Sequence, residues 1–162
     1  MDNLTITIDS REQAPYSFSR WPVTIHRAGL STGDYSLPGF DDKAAIERKS
    51  LDDLVGCLMG KNRHRFEREL MRGRVLDLFV VAVEADLTDL ARGRYRSLMK
   101  PQAALQSITA FYIRYGVPFL FCGSRAGGEY MTYSLLSKYD YEIQKRYSII
   151  CKHTLNQNGG HY

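Results

Sequence analysis

The chain has little of what staples or anchors a protein. Its three cysteines, Cys57, Cys122 and Cys151, are odd in number and far apart, which excludes a disulfide framework and points to reduced thiols. No Cys-x-x-Cys pair occurs, and His26, His64, His153 and His161 show no ligand spacing, so structural zinc is not expected. No apolar run approaches the length of a membrane-spanning helix. The start, Met1-Asp2-Asn3-Leu4, has neither the basic region nor the apolar segment of a secretory signal, so the expected compartment is the cytoplasm, or the nucleus in a eukaryote, with no membrane partner. Internal repeats and linker-like stretches are missing too.

What remains is an ordinary globular composition, 44% hydrophobic and 25% charged over 162 residues. That is enough for one domain with a real core and too little for two. We expect a single domain over residues 1–155 and a disordered polar tail over 156–162. Net charge is +4, a weak pointer to a polyanionic partner.

Leu4-Thr5-Ile6-Thr7-Ile8-Asp9 alternates at period two, predicting a strand that delivers Asp9 at its end. A second strand is predicted over Val23–Arg27, then the turn signal Ser31-Thr32-Gly33-Asp34, a short strand at Tyr35–Leu37 and another over Ala44–Lys49. These read as a meander. Ser50-Leu51-Asp52-Asp53 opens a helix in the manner of a capping box, with Gly60 ending it. A second helix is predicted from about Asn62 to Arg72 with Phe66 and Leu70 inward, then a buried strand over Leu76–Val83 that ends at Glu84. Pro101 starts a helix through Tyr115 with Leu105, Ile108, Phe111 and Tyr112 as its apolar stripe and Gly116 as its stop. Val117–Cys122 reads as a strand, and Tyr130–Lys152 as helical with a break at Asp140. The class is α/β, a mixed sheet flanked by helices.

The chemistry lies in Ile46-Glu47-Arg48-Lys49. On a strand, alternate side chains share a face, so Glu47 and Lys49 point one way and Arg48 the other. Asp34 follows a glycine in a tight turn, and Asp9 and Glu12 close another strand. Carboxylates gathered at strand ends repel one another, and a hard cation such as Mg²⁺ or Mn²⁺ relieves that while polarising a phosphate and acidifying water. The candidate reaction is metal-dependent phosphodiester cleavage, with Asp34 as a turn residue bonding its own backbone as the bland alternative. Arg48 needs a carboxylate partner, and Asp9, Glu12 or Asp53 could supply it. Asp53 is also a natural helix cap. Lys61, Arg63, Arg65, Arg68, Arg72 and Arg74 form a basic run interleaved with Glu67 and Glu69. It reads either as a solvated helix with ion pairs Arg63–Glu67 and Arg65–Glu69, or as a surface for DNA phosphates through Lys61, Arg63, Arg65 and Arg68. The tyrosines from Tyr130 to Tyr147 read as core or subunit-interface packing in preference to base stacking.

Ile8-Asp9-Ser10-Arg11-Glu12, Gly33-Asp34-Tyr35-Ser36-Leu37 and Ile46-Glu47-Arg48-Lys49-Ser50-Leu51-Asp52-Asp53-Leu54, in this order, resemble the nuclease domain of the XPF-type structure-specific endonucleases. The resemblance is clear from about Leu4 to Glu84 and general beyond it. It implies a restriction-endonuclease-like core, divalent metal, and cleavage of flapped, forked or branched DNA. It makes Asp34 and Glu47 metal ligands, lets Lys49 orient or activate water, and casts Arg11, Glu12, Arg48 and Asp53 as support. The intact acids favour an active enzyme over a non-catalytic nuclease-like scaffold. The chain departs from the family pattern in showing no tandem helix-hairpin-helix signature. DNA choice is then expected to fall to a homodimer or a separate DNA-binding partner, with a nuclease lacking structure selectivity as the alternative.

Overall fold

The computed structural model describes residues 3–158. Its strands are β1 (Leu4–Asp9), β2 (Val23–Ala28), β3 (Tyr35–Ser36), β4 (Ala44–Lys49), β5 (Leu78–Val83) and β6 (Phe119–Phe121). They form one mixed sheet in the order β2-β1-β3-β4-β5-β6. The helices are α1 (Leu51–Gly56), α2 (Gly60–Gly73), α3 (Leu87–Ala91), α4 (Pro101–Tyr115) and α5 (Arg125–Asn158). The expected α/β architecture, a mixed sheet flanked by helices, is what forms.

The meander expected for the first strands is corrected. β2 pairs parallel to β1 at the sheet edge, and β3 returns antiparallel to β1 on its other side. The crossover between β1 and β2 contains no regular helix. Instead Tyr16 and Phe18 bury themselves on the sheet, and Trp21 packs beside them, giving the connection the cover that a crossover helix usually supplies. Because β3 is antiparallel to both β1 and β4, those two strands run the same way, and β5 and β6 continue parallel. The C-terminal ends of β1, β4 and β5 therefore open at the same end of the sheet, where ligands of open α/β sheets bind.

Alternation along β4 sorts its side chains between two cores. Ile46 joins Ile6, Ile8, Tyr35, Val80 and Ala82 under α5, with Leu136 from that helix. Ala45 joins Val81, Val83, Leu54, Phe66 and Phe111 under α1, α2 and α4. By the same alternation Glu47 and Lys49 emerge on the α2 side, and Arg48 on the α5 side.

Several boundaries differ from expectation. Gly60 does not end the first helix. It opens α2 at φ +56, while α1 stops at Gly56. Asp140 makes no break: α5 is continuous, and Asp140 accepts a hydrogen bond from Gln144 one turn on, 2.7 Å away. Tyr112 is exposed, and Ala104 with Phe111 carries the buried side of α4. The helix α3 has no counterpart in the sequence reading. Tyr133 stacks on Trp21 at 4.5 Å and Tyr139 meets Phe40 edge-on, as core packing requires, whereas Tyr130, Tyr141 and Tyr147 are exposed. α5 continues through Asn158, and the rest of the expected tail lies outside the described residues. Among the described residues no helix is long and apolar enough to cross a membrane.

Candidate active site

Asp34 is fixed before anything binds it. Its N–H donates to the Ile46 carbonyl and its carbonyl accepts from the Asp9 N–H, both at 2.8 Å, so the turn is clamped between β4 and β1. Gly33 makes the turn possible at φ +76, where an added Cβ would stand 2.9 Å from Ala45 Cβ and 3.1 Å from the Ile46 carbonyl oxygen. Gly33→Ala is expected to cost about 1–3 kcal/mol from backbone strain and crowding. Urea unfolding checks this, and unchanged stability would mean that the turn relaxes freely.

Glu47 sits at the end of β4, only 4% exposed. Its carboxylate accepts a close hydrogen bond from Lys49 Nζ, and Lys49 lies over the Phe66 ring at 5.4 Å. Asp34 Oδ2 accepts from the Arg48 N–H at 2.8 Å. The two acids and the lysine thus converge as the spacing predicted. Burial pushes Asp34 up to about 7, with the Arg48 N–H opposing and Glu12 adding to the rise. Burial also raises Glu47 well above the usual carboxylate range, with Lys49 opposing and Asp34 and Glu69 adding to it. For Lys49, burial disfavours the ammonium, but Glu47 outweighs it and the lysine stays charged.

A folded-state pKa above the unfolded one binds extra protons in the native state, so stability falls as pH rises between the two values. For Asp34 that window runs from 3.8 to about 7. In metal-free buffer the wild type is therefore expected to lose roughly 4–8 °C of Tm between pH 5 and pH 8 from this site. Asp34→Asn should flatten that slope, since its amide oxygen can still accept from Arg48. Parallel Tm–pH curves for the two proteins would contradict it.

Around this centre lies a cleft of about 710 Å³ whose walls include Asp9, Arg11, Glu12 and Asp53, as expected. Asp9 accepts from Arg11 Nε at 3.0 Å and from the Leu30 N–H at 3.2 Å. It holds the 30–34 segment in place. Glu12 accepts from the Ala14 N–H at 2.7 Å. Asp53 is the cap of α1: its N–H donates to Ser50 Oγ at 3.1 Å and its carboxylate accepts from that hydroxyl at 2.7 Å.

Arg48 does not pair with Asp9, Glu12 or Asp53. Its Nε donates to Glu84 at 3.0 Å, and the two side chains are 12% and 8% exposed. The same Glu84 oxygen accepts from the Tyr16 hydroxyl at 2.8 Å and from Arg125 at 3.3 Å. Arg125 also donates to the Ala14 and Pro15 carbonyls. Glu84 therefore ties β4, the β1–β2 crossover and the start of α5 together behind the cleft. Sequence reasoning saw Glu84 only as the end of an apolar run. A charge closing a strand buried on both faces was the available sign that it needs partners.

Of the basic run, Arg65 faces the cleft together with Asn62, Glu69 and Arg72. Lys61 and Arg68 are exposed elsewhere on α2. Arg63 turns to α4, donating to Ser107 Oγ at 3.0 Å and lying over the Phe111 ring. The Arg63–Glu67 pair forms at 3.9 Å. Arg65 and Glu69 make no ion pair among the described residues.

The donor chemistry suits a hard divalent cation, being carboxylate oxygen throughout, and the upward shifts of Asp34 and Glu47 measure the charge crowding that a cation would relieve. Among the described residues no three acidic, histidine or cysteine side chains already stand in ligating geometry; Lys49 occupies Glu47 instead.

Residues 8–135 match the sequence profile of the ERCC4 domain. The fold resembles that of XPF from Aeropyrum pernix, with a TM-score of 0.66 and 19% identity over 89% of this chain and 69% of that one. It also resembles the same archaeal protein in complex with DNA, with a TM-score of 0.65 and 19% identity over 86% of this chain and 66% of that one. No curated protein matches the sequence.

Proposed function

The chain belongs to the ERCC4 family as an XPF-type nuclease domain, and from that premise we propose that it is a divalent-metal-dependent DNA endonuclease centred on Asp34, Glu47 and Lys49. The observation that carries the reading is the convergence of two proton-retaining carboxylates and a charged lysine at the end of β4. Asp34 and Glu47 would hold Mg²⁺ or Mn²⁺, which supplies Lewis-acid polarisation of the scissile phosphate and a more acidic water.

The remaining steps belong to this chain. Lys49 keeps its proton, so it acts as a hydrogen-bond donor to charge developing on the phosphate and not as the base. Its place over Phe66 and beside Glu47 restricts where that charge can sit. Arg65 and Arg72 on one wall and Arg11 on the other can neutralise flanking phosphates. The resemblance to a relative solved on DNA supports a polynucleotide lying along that cleft.

Flapped or forked DNA is the favoured substrate. A panel of linear duplex, single strand, flap, fork and four-way junction with Mg²⁺ or Mn²⁺ tests activity and selectivity together. Preferred cutting of flap or fork supports the reading. Equal cutting of all five retains the nuclease and removes the selectivity, and no cutting of any removes both.

A further inference from the structure

Helix α2 has its rotation fixed by Phe66 and Leu70, both buried, with Phe66 against Phe111 and Phe119 at ring distances of 6.0 and 6.2 Å. That anchoring turns a second stripe, Asn62, Arg65, Glu69 and Arg72, into the cleft. The steps of three and four residues keep these side chains on one line of the helix.

Within that stripe Glu69 behaves unlike its neighbour. Glu67 pairs with Arg63 and Arg114, as a surface glutamate among arginines should. Glu69 has Arg65 four residues before it and Arg72 three after it, yet forms no ion pair among the described residues. It reaches across the cleft to within hydrogen-bonding range of the Glu47 carboxyl. Two carboxyls in contact, one of them buried, repel unless a proton or a cation lies between them.

Resting on the reading of this cleft as a metal-dependent nuclease site, we propose that Glu69 is a third metal-binding carboxylate, contributed by α2 opposite Asp34 and Glu47. The cation site would then be closed by a turn, a strand end and a helix. The α2 wall would carry both a ligand and, at Arg65 and Arg72, the phosphate contacts on either side of it.

The test is Mn²⁺ binding to the intact protein without DNA, measured by calorimetry and by the Mn²⁺-induced rise in Tm, for wild type, Glu47→Gln and Glu69→Gln. Glu69→Gln is expected to weaken Mn²⁺ binding about tenfold or more and shrink the Tm rise accordingly. Its metal-free Tm should equal or exceed the wild-type value, because the amide can donate to Glu47 where the carboxyl could only crowd it. A merely structural glutamate would give the reverse, a lower metal-free Tm with unchanged Mn²⁺ affinity, and that overturns the proposal. Should Glu69→Gln fail to fold, Glu69→Ala replaces it under the same criteria. If Glu47→Gln loses Mn²⁺ and the Glu69 variant binds like wild type, the Glu69 assignment alone is wrong. If the wild type binds no Mn²⁺, the metal-dependent reading fails first and takes this inference with it.

Discussion

Glu47→Gln is expected to lower DNA cleavage by roughly three orders of magnitude or more while leaving DNA affinity within about twofold of wild type. The side chain is buried at the end of β4, remote from the exposed arginines that would meet phosphate, so its removal should not disturb the binding surface. A gel-shift titration alongside single-turnover cleavage separates the two effects. Metal-assisted stabilisation of the transition state is worth several kcal/mol, and each 1.4 kcal/mol is about tenfold in rate, which sets the magnitude. The neutral amide also removes the partner that opposes burial at Lys49, so the lysine loses its hold as well. A variant that retains a tenth of the rate would show that the metal is held elsewhere.

The largest effect on stability is expected at Glu84. Its carboxylate is the meeting point of Arg48, Arg125 and the Tyr16 hydroxyl, and Glu84→Ala leaves the buried Arg48 guanidinium without its ion partner. Breaking one side of a buried pair typically costs about 3–5 kcal/mol, which in a chain of this size lowers Tm by roughly 10 °C. Arg125→Ala removes the more exposed partner, 47% accessible, and is expected to cost only about 1 kcal/mol. Thermal melts of the two variants give the comparison. Equal losses would mean that the knot is held from the α5 side and not through Arg48. Cleavage by Glu84→Ala at low temperature should survive better than in Glu47→Gln, because Glu84 supports the site from behind and has no path to the reacting phosphate.

Local pattern carried the elements; distant pairing decided their arrangement. The period-two alternation of Leu4–Asp9 and Ala44–Lys49 placed both strands to the residue, and strand geometry then put Glu47 and Lys49 on one face. Gly33 and Asp34 were legible because a tight turn needs that chemistry. The parallel docking of β2 was not, since it depends on aromatic residues of the crossover filling the place of a helix. Gly60 was misread because a left-handed glycine punctuates a chain equally well before a helix as after one. The partner of Arg48 lies 36 residues away, beyond any local rule. Glu69 was read as an ion-pair partner of Arg65 from its spacing, and only the anchoring of Phe66 and Leu70 shows that it faces Glu47.

The central claim is tested most directly by incubating wild type and Glu47→Gln with end-labelled forked DNA in EDTA, Mg²⁺ and Mn²⁺. The expected result is cleavage by the wild type in either divalent metal, none in EDTA, and none above background for the variant. Cleavage in EDTA, wild-type cleavage by Glu47→Gln, or an inert wild type with both metals present would contradict it.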